Sequence, residues 1–181
     1  MRNLKMVAQV FLILGIFGAL AMAQSMQSKD LSAADQKFVK SAAQGGMAEV
    51  QLGQLATEKA SSDAVKQFGQ RMVNDHSEAN NKLKDLAANK GVTLPQELSA
   101  KDRATKERLS KLSGKQFDHA YMADMLKDHK ADIAEFQRES NSGHDQQVKE
   151  FASGTLPTLQ DHLKAAEKIS ATSGMEQSSL Q

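Results

Sequence analysis

Residues 62–91 read SDAVKQFGQRMVNDHSEANNKLKDLAANKG. Apolar or small side chains recur at Val65, Phe68, Met72, Ala79, Leu83 and Leu86. That spacing is the stripe of an amphipathic helix and not the alternation of a strand. Ser62 and Asp63 supply an N-cap signal, and Gly91 a natural stop. One residue interrupts the stripe: His76 falls between Met72 and Ala79, on the face that should be apolar.

Outward from this stretch the pattern repeats. Ser32 and Asp35 have capping-box spacing and open a helix over about 33–60, with Phe38, Ala42, Gly45, Leu52 and Ala56 on its stripe. Downstream, Val92 to Leu98 contains Pro95 and reads as a loop; Ser99 and Asp102 then start a short helix ending near Ser113-Gly114. Another long helix is predicted over about 115–141, carrying Tyr121, Met122, Met125, Ile133 and Phe136. Asn141-Ser142-Gly143 makes a turn, and Asp145 caps a last helix with Val148, Phe151, Leu159, Ala166 and Ile169. Pro157 lies inside that helix and predicts a kink or local bulge. The simplest assembly is all-α: an antiparallel up-down-up-down four-helix bundle, with the short helix in the connection between the second and third long helices. Few aromatics, no Trp and only two prolines suit that class.

The N-terminus has the three parts of a secretory signal. Arg2 and Lys5 are positive, Met6 to Leu20 is largely apolar, and Ala21-Met22-Ala23 is a small-x-small cleavage site. The apolar run falls short of the roughly 20 residues a spanning helix needs. The expected organisation is a signal peptide over 1–23, a polar leader over 24–32, the bundle over 33–172 and a loose polar tail over 173–181. This places the mature chain in the bacterial periplasm or outside the cell, with no permanent membrane span once the signal is removed. A retained N-terminal segment would instead tether it. With no cysteine, no disulfide is used. The formal net charge of +1 becomes −1 when Arg2 and Lys5 leave, which argues against a nucleic-acid partner.

Each long helix carries one ionisable side chain at a core-type position: Glu49, His76, His129 and His162. Counted from the predicted turns, Glu49 and His76 differ in level by about 4–5 Å, and His129 and His162 by about 7 Å, which a bulge at Pro157 would shrink. Three histidines follow an aspartate directly, as Asp75-His76, Asp128-His129 and Asp161-His162. Neighbours on a helix differ by about 100°, so each Asp flanks the core face and can accept the second ring N–H of a histidine on the next helix. Asp118 shares a side with His129 but lies about 16 Å along the axis, so it is expected to make a separate polar contact near one end, with Tyr121. Met72-x-x-Asp75-His76 matches Met125-x-x-Asp128-His129, a short sign of duplicated helix pairs.

Three imidazoles and a carboxylate suit a transition metal: zinc, iron, copper or nickel. The competing reading is a metal-free polar cluster in a structural, stress-response or interaction module, with neutral hydrogen-bonded imidazoles that charge in acid. His119 and His144 read as surface residues. Gly45, Gly46, Gly53 and Gly69 read as close helix packing, and Met47, Met72, Met122 and Met125 as core filling. No nucleophile elbow, phosphate loop or dinucleotide fingerprint occurs, and no reaction is identified.

Together, Asp35…Phe38, Glu49 with Leu52 and Ala56, Val65-Lys66-x-Phe68, Met72-Val73-x-Asp75-His76, Phe117-Asp118-x-x-Tyr121, Asp128-His129, Phe151-Ala152, Leu156-Pro157 and His162-Leu163 resemble the domain of unknown function 4142 over roughly residues 33–170. The resemblance implies a ferritin-like bundle in exported bacterial proteins and transfers no activity. Ferritin-like di-iron sites use Glu-x-x-His. Here the third residue before each histidine is Val73, Leu126 or Leu159, so a carboxylate-bridged di-iron centre is not expected.

Overall fold

The structure, a computed structural model, describes residues 30–172; the expected signal peptide, the expected polar leader up to residue 29 and the expected tail lie outside them. It contains α1 (Ala33–Lys59), α2 (Asp63–Asn89), α3 (Ala100–Ser110), α4 (Gly114–Ser142) and α5 (Gln146–Thr172). Among the described residues no strand occurs. No helix there is long and apolar enough to cross a membrane.

The start signals act as local chemistry dictates. Ser32 Oγ accepts from Asp35 N–H and Ser99 Oγ from Asp102 N–H, each at 3.1 Å. Asp145 Oδ1 accepts from the Gln147 and Val148 amides at 2.9 and 3.2 Å, capping α5. Gly91 takes φ +67°, a conformation that stops α2 without Cβ strain. Ser62 occupies the N-cap of α2, but its side chain makes no capping bond. The α1–α2 turn is instead held from α4: Asp118 Oδ1 accepts from Ser61 N–H at 3.0 Å, and Oδ2 from Ser61 Oγ–H at 2.5 Å and Ser62 N–H at 3.0 Å. Asp118 therefore binds this turn and not Tyr121.

A second polar knot closes the other end. Asp35, at the start of α1, accepts from the His144 and Asp145 amides, both at 3.0 Å, in the α4–α5 turn. Lys90, just past α2, bonds the same Asp145 through Oδ2 at 2.6 Å, and both side chains are buried.

These two knots fix the helix directions. α1 rises to the Asp118 end, which we call upper, and α2 descends from it. α4 starts at that same upper end and descends, and α5 rises. The order is up-down-down-up, which corrects the alternating order expected from sequence. Residues 90–113 consequently cross the full length of the bundle, and α3 climbs within this crossover along α1 and α4. Gln44 Nε2–H bonds the Glu97 carbonyl low on α1, and Lys106 bonds Gln51 higher up. Around the bundle α1 touches α2 and α4, while α5 touches α2 and α4.

α1 and α2 approach closely at Gly53 and Gly69. A Cβ on Gly53 would lie 2.6 Å from the Gly69 carbonyl oxygen, and one on Gly69 2.8 Å from that of Gly53. α5 is continuous through Pro157 with no bulge. The carbonyl that loses its partner belongs to Ser153, and Ser153 and Pro157 are both exposed, so water can satisfy it.

The core falls into two apolar clusters. The upper one holds Leu52, Ala56, Val65, Phe68, Met72, Phe117, Tyr121, Met122, Met125 and Ala166, with Leu109 of the crossover. The lower one holds Phe38, Val39, Ala43, Leu83, Ala87, Phe136, Val148, Ala152, Leu156 and Leu159.

Candidate metal centre

Between the clusters lies one polar layer. On each long helix a single ionisable side chain separates upper from lower apolar residues: Glu49 between Ala43 and Leu52, His76 between Met72 and Leu83, His129 between Met125 and Phe136, His162 between Leu159 and Ala166. Glu49 is 4 % exposed, His76 7 %, and His129 and His162 0 %.

The three imidazoles converge. One ring nitrogen from each lies within 4.8 Å of the other two. Ring centroids are 5.9 Å apart for His76–His129, 5.4 Å for His76–His162 and 5.3 Å for His129–His162. Helix rise alone leaves His129 and His162 about 4–5 Å apart in level. Side chains lean toward the N-terminus of their own helix, and α4 and α5 are antiparallel, so the two rings lean toward each other and close that gap. Glu49 stands outside this group and lines the cavity beside it.

Outer partners fix the protons. His129 Nδ1 lies 3.0 Å from the Met125 carbonyl, which can only accept, so Nδ1 carries the hydrogen. His162 Nε2 lies 2.7 Å from Asp75 Oδ2 and donates to that carboxylate. In neutral rings this leaves lone pairs on His129 Nε2 and His162 Nδ1, and these two nitrogens face each other at 3.3 Å. His76 Nε2 is buried with no hydrogen-bond partner. Two facing lone pairs repel unless a cation, either a proton or a metal ion, lies between them.

The electrostatics disfavour the proton. Burial, with the charges of His129 and His162, pushes His76 down to about 3. Burial, with the charge of His162, pushes His129 down to about 4. His162 is also lowered by burial, against the pull of Asp75. At neutral pH the three rings are neutral donors.

The flanking aspartates have three different fates. Asp75 bonds His162 across the helix interface and pairs with Arg71 at 3.1 Å. Asp128 is taken by Lys101 of the crossover at 3.0 Å. Asp161 is exposed and acts on His162 only through space. Tyr121 stacks on Phe117, and its buried hydroxyl has no partner. Burial and the nearby Glu49 charge hold that phenol well above its usual range.

Sequence reading missed Asp132, Asn80 and Lys101, which line the adjoining cavity with Glu49 and His76. Asp132 was findable, because it follows His129 by three residues and so shares its face. Lys101 was not, because only the path of the crossover brings it there.

The donor set fits a metal ion. A tetrahedral site with metal–nitrogen bonds of about 2.0–2.1 Å has nitrogens about 3.3 Å apart. The His129–His162 spacing of 3.3 Å already matches one edge of that tetrahedron. A His76 nitrogen lies within 4.8 Å of both and would complete a third corner by approaching them by up to about 1.5 Å.

The fold recurs in solved structures. A DUF305 fragment from Deinococcus radiodurans aligns with TM-score 0.69 at 14% identity, covering 77% of this chain and 97% of that one. A candidate secreted DUF305 protein from Streptomyces coelicolor aligns with TM-score 0.66 at 14% identity, covering 78% and 94%. A candidate spore coat protein from Bacillus halodurans aligns with TM-score 0.64 at 11% identity, covering 81% and 91%. At these identities the likeness speaks to fold alone. No curated protein matches the chain. The family profile described as domain of unknown function (DUF4142) matches residues 20–169, all of the bundle but the last three residues of α5, and the chain belongs to that family.

Proposed function

We propose that this protein is an exported bundle that binds one transition-metal ion through His76, His129 and His162. The observation that carries the reading is the pair of facing lone pairs on His129 and His162, whose proton positions Met125 and Asp75 fix from outside. Three neutral imidazoles favour borderline divalent ions such as zinc, copper, nickel or iron, and a bound ion would supply Lewis acidity. His162 is oriented by Asp75, the outer partner that metal-ligating histidines usually have. The missing Glu-x-x-His pattern argues against a di-iron centre, although the single full-length crossover supports grouping the bundle with ferritin-like folds.

Export rests on the N-terminal signal and on a fold neighbour named as a candidate secreted protein. Cleavage after Ala23 and a periplasmic or secreted location follow from the same signal, and N-terminal sequencing of the exported protein tests them. The competing reading, an acid-responsive interaction module without metal, draws on the lowered histidines. Metal analysis separates the two. Residues 24–181, purified without chelator, should carry close to one equivalent of metal, and His129→Ala should lose most of it. Metal-free protein whose melting temperature does not respond to added zinc or copper would end the metal reading.

A further inference from the structure

Beside the imidazoles lies a cavity of about 280 Å³, roofed by the crossover and walled by α1, α2, α4 and α5. Five carboxylates line it, Glu49, Asp102, Asp128, Asp132 and Glu135, against one lysine, Lys101. Two of these are already engaged, Asp128 with Lys101 and Asp102 with Ser99. Glu49 is not. Its side chain is 4 % exposed, and its Oε2 has no hydrogen-bond partner. An orphaned carboxyl oxygen at that depth is costly to bury and calls for a partner.

Among the charges that act on Glu49, that of Asp132 ranks first, ahead of Asp128, Asp102 and Asp124. All of these are carboxylates. Lys101, the one basic side chain in the lining, is held by Asp128 at 3.0 Å and does not bond Glu49. The volume decides what could enter. A shell of six waters occupies roughly 180 Å³ at about 30 Å³ each, so a hydrated ion fits.

We propose that this chamber is a second cation site, in which Glu49 and Asp132 hold a divalent ion of the hard, oxygen-preferring class that keeps most of its water. Magnesium and manganese bind in this way, through one or two carboxylates and retained waters, whereas an all-imidazole set disfavours them. Of the three histidines only His76 lines the chamber, so the two sites adjoin without sharing the buried pair His129 and His162. The proposal does not depend on the imidazole site being occupied.

The test uses Mn²⁺, followed by electron paramagnetic resonance on residues 24–181. One equivalent should bind, and Glu49→Gln and Asp132→Asn should each weaken it at least tenfold. Gln and Asn are near-isosteric with the protonated acids, so helicity by circular dichroism should be unchanged. His129→Ala should bind Mn²⁺ within about threefold of the parent. Failure of Mn²⁺ to bind, or weak binding of several equivalents indifferent to Glu49→Gln, overturns the proposal. Binding that His129→Ala abolishes and Glu49→Gln spares also overturns it, by placing the ion on the imidazoles.

Discussion

Replacing Asp75 with Asn probes the metal reading without touching a ligand. Asp75 Oδ2 accepts from His162 Nε2–H at 2.7 Å, so the carboxylate both points the ring and keeps the lone pair on Nδ1. Asn can still accept through its amide oxygen, but a neutral bond is roughly half as strong as a charge-assisted one. Its amide nitrogen can instead donate to Nε2, which moves the ring hydrogen to Nδ1 and blocks the donor atom. Loss of such outer partners costs about 10–100-fold in metal affinity, or about 1.4–2.7 kcal/mol. Asp75 is 32 % exposed and shares its charge with Arg71, so the lower part of that range is expected, about tenfold to thirtyfold. Competition against a chromogenic zinc chelator at pH 7.5 reads this directly. Arg71→Ala, which frees the carboxylate for His162 alone, should move affinity less than threefold. Zinc affinity within twofold of the parent in Asp75→Asn would show that the Asp75 contact does not prepare the site.

The buried neutral imidazoles should cost the metal-free protein stability as pH falls from about 6.5 toward 4. Unfolded imidazoles take up protons there that folded His76 and His129, lowered to about 3 and 4, refuse; each contributes about 1.4 kcal/mol per pH unit. Asp132 and Glu139, both raised to about 7 chiefly by burial, work the other way and gain stability as pH falls below 7. Urea midpoints for the parent and His129→Gln separate the terms, and identical profiles would contradict neutral burial of His129. Gly53→Ala should cost about 1–3 kcal/mol in thermal melts, because its Cβ would meet the Gly69 carbonyl oxygen at 2.6 Å and backbone cannot step aside. Gly45→Ala meets nothing within 4 Å and should be neutral or stabilising by up to about 1 kcal/mol. Asp118→Ala strands the Ser61 and Ser62 amides and should cost about 2–3 kcal/mol by chemical denaturation.

What the sequence made legible was local. Stripes, caps at Ser32, Ser99 and Asp145, and the stop at Gly91 all follow from neighbours within one or two turns. The histidines were visible because each broke an apolar stripe. Helix direction was not legible, since spacing does not say where a long connection travels. That is set by Asp118 on Ser61 and Asp35 on His144, partners 57 and 109 residues apart. The three Asp-His pairs look alike in sequence, yet only Asp75 meets an imidazole on another helix. Lys101 captures Asp128, and Asp161 faces solvent, both consequences of tertiary placement. Glu49 is expected as a fourth ligand because it shares the layer of the imidazoles, whereas the cavity that it lines with His76 has no signal in the sequence.

The crossover carries a last consequence. The described residues form two helical hairpins joined by a single strap, and the imidazoles are divided unequally: His76 comes from the first hairpin, His129 and His162 from the second. A protease cut in the exposed stretch around Gln96 and Glu97 would leave two fragments that separate or stay together on their own merits. An ion gripped from both sides would act as a rivet between them. The nicked protein should then elute as one species with metal and fall apart in chelator.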